Sequence, residues 1–142
     1  MSVDNATVRN CTFVSNSAPY GSAIWVGEYG MQLYNSIFDT NYIQCSVPNE
    51  PGPTVIASCC DLYQSGGGGC HYFDIGTSGN FSLDPLFCDA ANDNYTLKQS
   101  SPCAPGNHPQ GSNCDLIGAL PVGCAGVAIA PTTWGRIKAM FR

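Results

Sequence analysis

Few residues in this chain have the types and spacing that catalysis would need. Between residues 1 and 97 the only Lys or Arg is Arg9, so a reaction that uses Lys or Arg as its general base has one candidate there. The carboxyl groups that glycosidic hydrolysis needs as a converging pair are scattered along the chain, at Asp39, Asp61, Asp74 and Asp84. We therefore predict no catalytic residue, and the chain fits a protein that is not an enzyme better than it fits an enzyme.

The histidines and one Asx-rich segment do not predict a metal or cofactor site. Neither His71 nor His108 lies in a recognisable nucleophile arrangement. Residues 89–94 bring several oxygen ligands together, as calcium would require, but their spacing differs from the EF-hand loop and is typical of an Asx-rich turn. We expect no metal ion and no cofactor.

Three aromatic residues are candidates for binding rather than for catalysis. If Ile24 and Val26 face the core, the alternation of a strand directs Trp25 outward. Exposed aromatic rings are surfaces on which sugar rings stack, so Trp25, Tyr20 and Tyr34 are our candidates for a carbohydrate-binding surface. A neighbouring loop that covers Trp25 is the alternative, and the sequence leaves both open.

The elements that position these side chains are predicted to be strands. Only 11% of the residues are charged, while 16 are Gly and 10 are Pro, which excludes a helical bundle. The net charge of -5, with three of the five basic residues in the last seven positions, excludes nucleic-acid binding by the main body. No apolar run is long enough to form a transmembrane segment, and residues 1–14 lack the pattern of an export signal.

The nine cysteines predict disulfides and an oxidising compartment. Short loops favour pairing of Cys88 with Cys103 and of Cys114 with Cys124. Adjacent cysteines at 59 and 60 would pair with those at 45 and 70, in an order that the sequence leaves open. Cys11 is left over as a buried free thiol. The disulfide candidates are Cys45, Cys59, Cys60, Cys70, Cys88, Cys103, Cys114 and Cys124.

Residues 8–16 and 33–41 are similar at an offset of 25 residues, with Asn, Phe and Asn at matching positions. This offset is typical of one coil of a parallel β-helix, in which each strand pairs with its own repeat about 4.8 Å away. Asn10 would stack on Asn35 as an amide ladder at a corner. Arg9 would stack on Tyr34 as a cation-π contact on the outer wall.

Two stretches resemble known β-helix proteins. Phe13-Val-Ser-Asn16 followed by Gly21-Ser-Ala-Ile24 resembles the FxxN and GGA[ILV] repeats of polymorphic outer-membrane proteins and autotransporter adhesins. Asp84-Pro-Leu-Phe87 and the stretch 93–107 are similar to the closing segment of bacterial secreted β-helix proteins of the pectate-lyase-like superfold. The resemblance implies the C-terminal part of such a protein, and it implies no activity, because the fold hosts lyases, hydrolases, adhesins and structural fibres.

We therefore predict an all-β chain with three parts. Residues 1–87 form a right-handed single-stranded parallel β-helix of about three coils, residues 88–124 form a cysteine-rich, disulfide-stapled C-terminal cap, and residues 125–142 form a short basic amphipathic tail. The tail fits a sorting or anchoring signal, with packing on the last coil as the alternative. Its candidate residues are Trp134, Arg136, Ile137, Lys138, Phe141 and Arg142.

The predicted function is that of a non-catalytic structural or adhesive fragment of a bacterial secreted or cell-surface protein. Its expected partner is a polysaccharide or a cell-surface glycan. The alternative is the C-terminal part of a polysaccharide lyase or glycoside hydrolase whose catalytic coils lie upstream. Because the repeat is already running by Thr7, the first coil would expose unpaired strand edges, which predicts self-association through the N-terminal β-edge.

Overall fold

The protein is all-β, as the sequence predicts. The computed structural model describes residues 6–27, 29–45, 53–68 and 76–124. Its strands are β1 (Ala6–Arg9), β2 (Thr12–Val14), β3 (Ile24–Val26), β4 (Met31–Tyr34), β5 (Ile37–Asp39), β6 (Tyr42–Cys45), β7 (Val55–Ser58), β8 (Gly66–Gly68), β9 (Phe87–Asp89) and β10 (Asn94–Leu97), with one 3₁₀ turn at Ala90–Asn92.

The first eight strands form three parallel sheets, in the orders β1-β4-β7, β2-β5 and β3-β6-β8. Residues 6–26 are the first pass of the chain and residues 31–45 the second, and each sheet takes one strand from each of them. The third pass adds β7 and β8 to two of the sheets, and at β5 it adds only a bridge from Asp61 to Ile37. Val8 pairs with Leu33, which confirms the offset of 25 residues for β1 and β4. In β3 and β6 the offset is shorter, because Ile24 pairs with Ile43.

Two corners in each pass turn the chain from one sheet to the next. One residue at each corner adopts a left-handed backbone conformation, in which Asn and small polar residues are tolerated best. At the first corner these residues are Asn10, Asn35 and Cys59, and at the second corner they are Ser15, Thr40 and Gln64. The corner amides also bond between passes, since the N–H of Asn10 donates to the carbonyl oxygen of Tyr34 at 3.1 Å.

An amide ladder lies inside the second corner. The Oδ1 atom of the buried Asn41 accepts hydrogen bonds from the backbone N–H and the Nδ2 group of Asn16, each at 3.1 Å. The backbone N–H of Asn41 donates in turn to Oγ of Ser65 at 3.0 Å. At the first corner the predicted ladder is wrong in detail, because Asn10 and Asn35 both donate to the carbonyl oxygen of Leu116 at 3.3 Å rather than to each other.

Two hydrophobic clusters hold the passes together. The first lies between the three sheets and includes the fully buried Leu33, Phe38 and Ile43. The ring of Phe13 stacks on that of Phe38 at 4.8 Å, so side chains at matching positions of two passes pack on each other. The second cluster joins Ile37 to side chains of residues 81–117, which cover the outer side of β5.

The disulfides differ from the predicted pairing. Cys59 pairs with Cys114, and Cys88 pairs with Cys124, while Cys60 and Cys103 are free and buried. The predicted pairs Cys88–Cys103 and Cys114–Cys124 are therefore wrong, and so are the predicted bonds that join Cys59 and Cys60 to Cys45 and Cys70. Cys11 is free, as predicted, but it is half-buried rather than buried.

The physical reason is that the C-terminal segment folds back over the sheets instead of closing short local loops. β9 pairs antiparallel with β10, and Leu97 of β10 bridges to Val122, which brings Cys124 beside Cys88. Near the first corner, the N–H of Gly118 donates to the carbonyl oxygen of Asn35 at 2.7 Å.

Cys45 is disulfide-bonded as well. Cys70 lies outside the described residues, and so does the predicted tail at 125–142 with its candidate residues. In the part of the chain that the structure describes, no helix has the length and apolar character to cross a membrane.

Candidate functional site

Exposed aromatic side chains are concentrated in one region of the described residues. Tyr20, Trp25, Tyr29 and Tyr42 are 70%, 57%, 63% and 44% exposed, and the other aromatic side chains described are buried or half-buried. All four lie on β3, on β6 or in the loops beside β3. The region is therefore distinct from the rest of the described surface.

Trp25 and Tyr42 lie on the outer face of the sheet β3-β6-β8. Their strand neighbours Val26 and Ile43 are buried, so alternation turns the two aromatic rings outward. Trp25 pairs with Gln44, which is two residues beyond Tyr42 on β6. From the strand spacing and the rise per residue, the two aromatic positions are about 8 Å apart along a diagonal.

A glycine lies beside each ring. A Cβ at Gly27 would lie 3.5 Å from Cζ3 of Trp25, and a Cβ at Gly66 would lie 3.1 Å from Cδ2 and Cε2 of Tyr42. Each ring therefore lies close to a backbone that carries no side chain. We call Trp25, Tyr42 and the glycines beside them the aromatic surface.

An apolar cavity adjoins the aromatic surface at Trp25. It has a volume of about 350 Å³ and is lined by residues 6, 24–27 and 29–31. Trp25 and Tyr29 both line it, as do the aliphatic side chains of Ile24 and Met31. This volume is at the lower end of the range for small-molecule sites.

Neutral polar groups fix the loop before β3 against β6. The N–H of Gly21 donates to Oε1 of Gln44 at 3.2 Å, and the N–H of Tyr42 donates to Oγ of Ser22 at 2.7 Å. A side chain at Gly21 would collide with the backbone of Ile24 and Trp25, so glycine is required where the loop approaches the strand. These contacts hold Tyr20, which precedes Gly21, near the aromatic surface.

The structure separates Tyr34 from the other predicted candidates. Tyr34 lies in β4, in the sheet β1-β4-β7, and the guanidinium carbon of Arg9 is 4.2 Å from its ring centroid. This confirms the predicted cation-π contact. The Tyr34 hydroxyl donates to Oε1 of Gln32 at 3.0 Å, so its ring face and its hydroxyl both have protein partners.

The sequence analysis missed Tyr29 and Tyr42. The exposure of Tyr42 could have been predicted from the sequence. Outward and inward positions alternate from Tyr42 to Cys45 as they do from Ile24 to Val26, and the glycines of β8 follow one pass later. Tyr29 had no such signal, since it lies in the turn between β3 and β4, where no periodicity applies.

A buried carboxyl-thiol pair is the second notable group. Asp61 is fully buried; its Oδ1 accepts a hydrogen bond from the N–H of Leu83 at 3.1 Å, and its Oδ2 accepts one from Sγ of Cys103 at 3.2 Å. Burial raises the pKa of Asp61 to about 7, against weaker lowering by these two hydrogen bonds. Burial, and then the Asp61 charge, raise the pKa of Cys103. A protonated thiol enclosed in the core cannot meet a substrate, so the pair is structural.

The remaining sequence candidates are also structural where they are described. Nε2 of His108 lies 2.8 Å from the carbonyl oxygen of Gly79, and its ring packs edge-on against Phe81. Within the Asx-rich segment, Asn92 donates to Asp89 at 2.7 Å in a turn. Among the described residues, no group of three or more His, Cys, Asp or Glu side chains is arranged to hold a metal ion.

Comparisons with known proteins add nothing to the geometry of the aromatic surface. The chain matches no protein-family model, no curated protein and no solved structure.

Proposed function

We propose that the three parallel sheets are the walls of a right-handed parallel β-helix. The support is that each strand of one pass pairs in parallel with its counterpart in the next, in constant order. Left-handed residues recur at both corners of successive passes, as they would in stacked coils. Right-handedness is the hand that connections between parallel strands take in nearly all proteins. In this proposal, residues 88–124 are the disulfide-stapled cap.

The proposed function is carbohydrate binding by a structural or adhesive module of a secreted or cell-surface protein. The observation that carries this proposal is the aromatic surface, where the rings of Trp25 and Tyr42 each lie beside a glycine and remain exposed on one face of a sheet. Large exposed apolar groups on a folded protein mark interaction sites, and aromatic rings are well suited to the apolar faces of sugars. Tyr20 and Tyr29 extend the region on the loops.

The disulfides support the extracellular part of this proposal. Bonds such as Cys59–Cys114 and Cys88–Cys124 form and persist in oxidising compartments and are rare in the cytosol.

The test is retention of the protein on a panel of immobilised polysaccharides, with wild type compared to Trp25→Ala and to Ile56→Ala. Ile56 is 49% exposed on β7, in a different sheet, so its variant controls for the loss of exposed apolar area. We expect Trp25→Ala to weaken retention at least tenfold and Ile56→Ala to leave it unchanged. Equal retention of all three proteins, or retention of none, would contradict a binding role for the aromatic surface.

Release of reducing ends from the same polysaccharides is scored in parallel. A binding module retains the polysaccharide without shortening it. Release that rises with time and enzyme concentration would instead favour a carbohydrate-active enzyme, which is the alternative function.

A further inference from the structure

We infer that the aromatic surface selects an uncharged polysaccharide and discriminates against polyuronates. This inference rests on the proposed carbohydrate-binding function and adds the chemical class of the ligand. It is carried by the charges and hydrogen-bonding groups around Trp25 and Tyr42, which are independent of the exposure of the two rings.

Among the described residues, no Lys or Arg side chain lies at the aromatic surface. The only Lys or Arg side chains among the described residues are those of Arg9 and Lys98. Arg9 lies over Tyr34 in another sheet, and Lys98 follows β10 in the C-terminal segment. A polyuronate carries a carboxylate on every sugar, and protein sites pair such carboxylates with Arg or Lys.

The charge of the whole chain acts in the same direction. The formal net charge is -5, so a polyanion approaching the described surface meets net repulsion rather than attraction. An uncharged polysaccharide does not experience this repulsion.

Among the described residues, the polar groups that bond beside the rings, those of Gln44 and Ser22, are neutral. Gln44 pairs with Trp25 across the sheet, and Ser22 lies at the N–H of Tyr42. Within the part of the chain that the structure describes, the Ser22 and Gln44 side chains each accept one hydrogen bond through their oxygen, and neither the Ser22 hydroxyl nor the Gln44 side-chain NH₂ group donates one. Amide and hydroxyl groups are the partners of sugar hydroxyls, and they supply no compensation for a buried carboxylate.

The shape of the region fits a linear chain of sugars. Trp25 and Tyr42 lie about 8 Å apart on one face, so a short saccharide segment laid across the sheet contacts both rings. The cavity beside Trp25 is apolar, with Ile24 and Met31 in its wall, and is equally unsuited to a carboxylate.

The experiment uses the full chain with Trp134→Phe, so that Trp25 is the only tryptophan. Tryptophan fluorescence is titrated with two soluble polysaccharides, an uncharged β-linked glucan and polygalacturonate, at about 0.15 M and about 0.5 M salt. Tyr42→Ala in the same background tests the second ring, and Ile56→Ala is the control on another wall.

We expect saturable binding of the glucan that is unchanged by salt, is weakened about tenfold by Tyr42→Ala, and is unaffected by Ile56→Ala. We expect no response of Trp25 to polygalacturonate at either salt concentration. Binding of polygalacturonate that shifts Trp25 fluorescence and is weakened by Tyr42→Ala would overturn the ligand class and leave the proposed function standing. If neither polysaccharide binds, and the immobilised panel also retains nothing, the proposed function fails and this inference fails with it.

Discussion

Asp61 is the residue at which the core departs from simple hydrophobic packing. Its carboxyl group is fully buried between β5 and the segment that contains Leu83 and Cys103. Burial raises its pKa in the folded protein from 3.8 to about 7, and the nearby carboxylates of Asp39 and Asp84 add smaller increments. The folded protein therefore holds a proton that the unfolded chain releases.

This difference predicts how the free energy of unfolding changes with pH. Between about pH 4 and pH 7 the folded state binds more protons at Asp61 than the unfolded state does, so stability from this group is fully present below the unfolded pKa. It is lost as the pH rises through the folded pKa. Asn has the shape of Asp but does not ionise. In wild type the free energy of unfolding should fall by on the order of a few kcal/mol as the pH rises from about 4 to above 7, and in Asp61→Asn this fall should be absent.

The measurement is denaturant unfolding of wild type and Asp61→Asn from pH 4 to pH 8. Asp115→Asn, at an exposed position that does not contribute to the pKa of Asp61, is the control for removal of one carboxyl group. A pH dependence in Asp61→Asn as steep as that of the wild type would show that Asp61 is not protonated in the folded core.

At the scale of elements, the Cys59–Cys114 bond fastens the C-terminal segment to the first corner, at the corner residue of the third pass. It closes a separation of 55 residues, for which loop-closure entropy gives a stabilisation of about 4 kcal/mol. The same segment donates from Gly118 to Asn35 and accepts from Asn10 at Leu116.

Replacing both cysteines by alanine should therefore lower stability by about that amount and loosen the segment at the first corner. Amide hydrogen exchange should accelerate at Gly118 before it does at β4. Cys88→Ala with Cys124→Ala is the matched control, because that bond fastens β9 near the other end of the segment. Unchanged protection at Gly118 in the Cys59–Cys114 variant would show that the backbone contacts alone hold the segment.

The elements differ in how far the sequence predicts them. The pairings of Val8 with Leu33 and of Arg9 with Tyr34 could be predicted, because residues 8–16 are similar to residues 33–41 at the same offset of 25. The disulfide connectivity could not, because it depends on where a long segment folds back, and sequence spacing does not encode that.

The candidate site divides in the same way. Alternation around Trp25 predicts its exposure from local sequence, and the same rule applied one pass later would have found Tyr42. The burial of Asp61 could not be predicted from the local sequence, because Leu83 and Cys103, which bond to its carboxyl group, come from later parts of the chain.

At the scale of the whole molecule, the two ends of the sheets are unlike. At one end, residues 78–81 continue the pairing, with hydrogen bonds from Cys59 to Ser78 and from Leu62 to Phe81. At the other end β1, β2 and β3 are outermost, and within the described residues no strand pairs with their outer edges. Half-buried Val8 and Phe13 lie at that end.

An open strand edge next to partly exposed apolar side chains is a template for further pairing, so we predict that this chain self-associates there. Light scattering should give a mass that rises with concentration towards twice that of the chain. Val8→Lys places a charge at this end and should keep the protein monomeric, while Ile56→Lys, on the wall of β7, should not. A monomeric wild type with slow amide exchange from Val8 to Phe13 would show that this edge is already protected.

The loop that carries Tyr20 interrupts an otherwise regular course of the chain. Eight residues, 16–23, separate the second corner from β3, whereas only Asn41 stands between the corresponding corner and β6, and only Ser65 between the next corner and β8. The corners and sheets keep their register despite this difference in length. Insertions at this point therefore leave the scaffold intact. The stretch before Gly21 is therefore the place beside the aromatic surface where a protein engineer can add residues without redesigning the core.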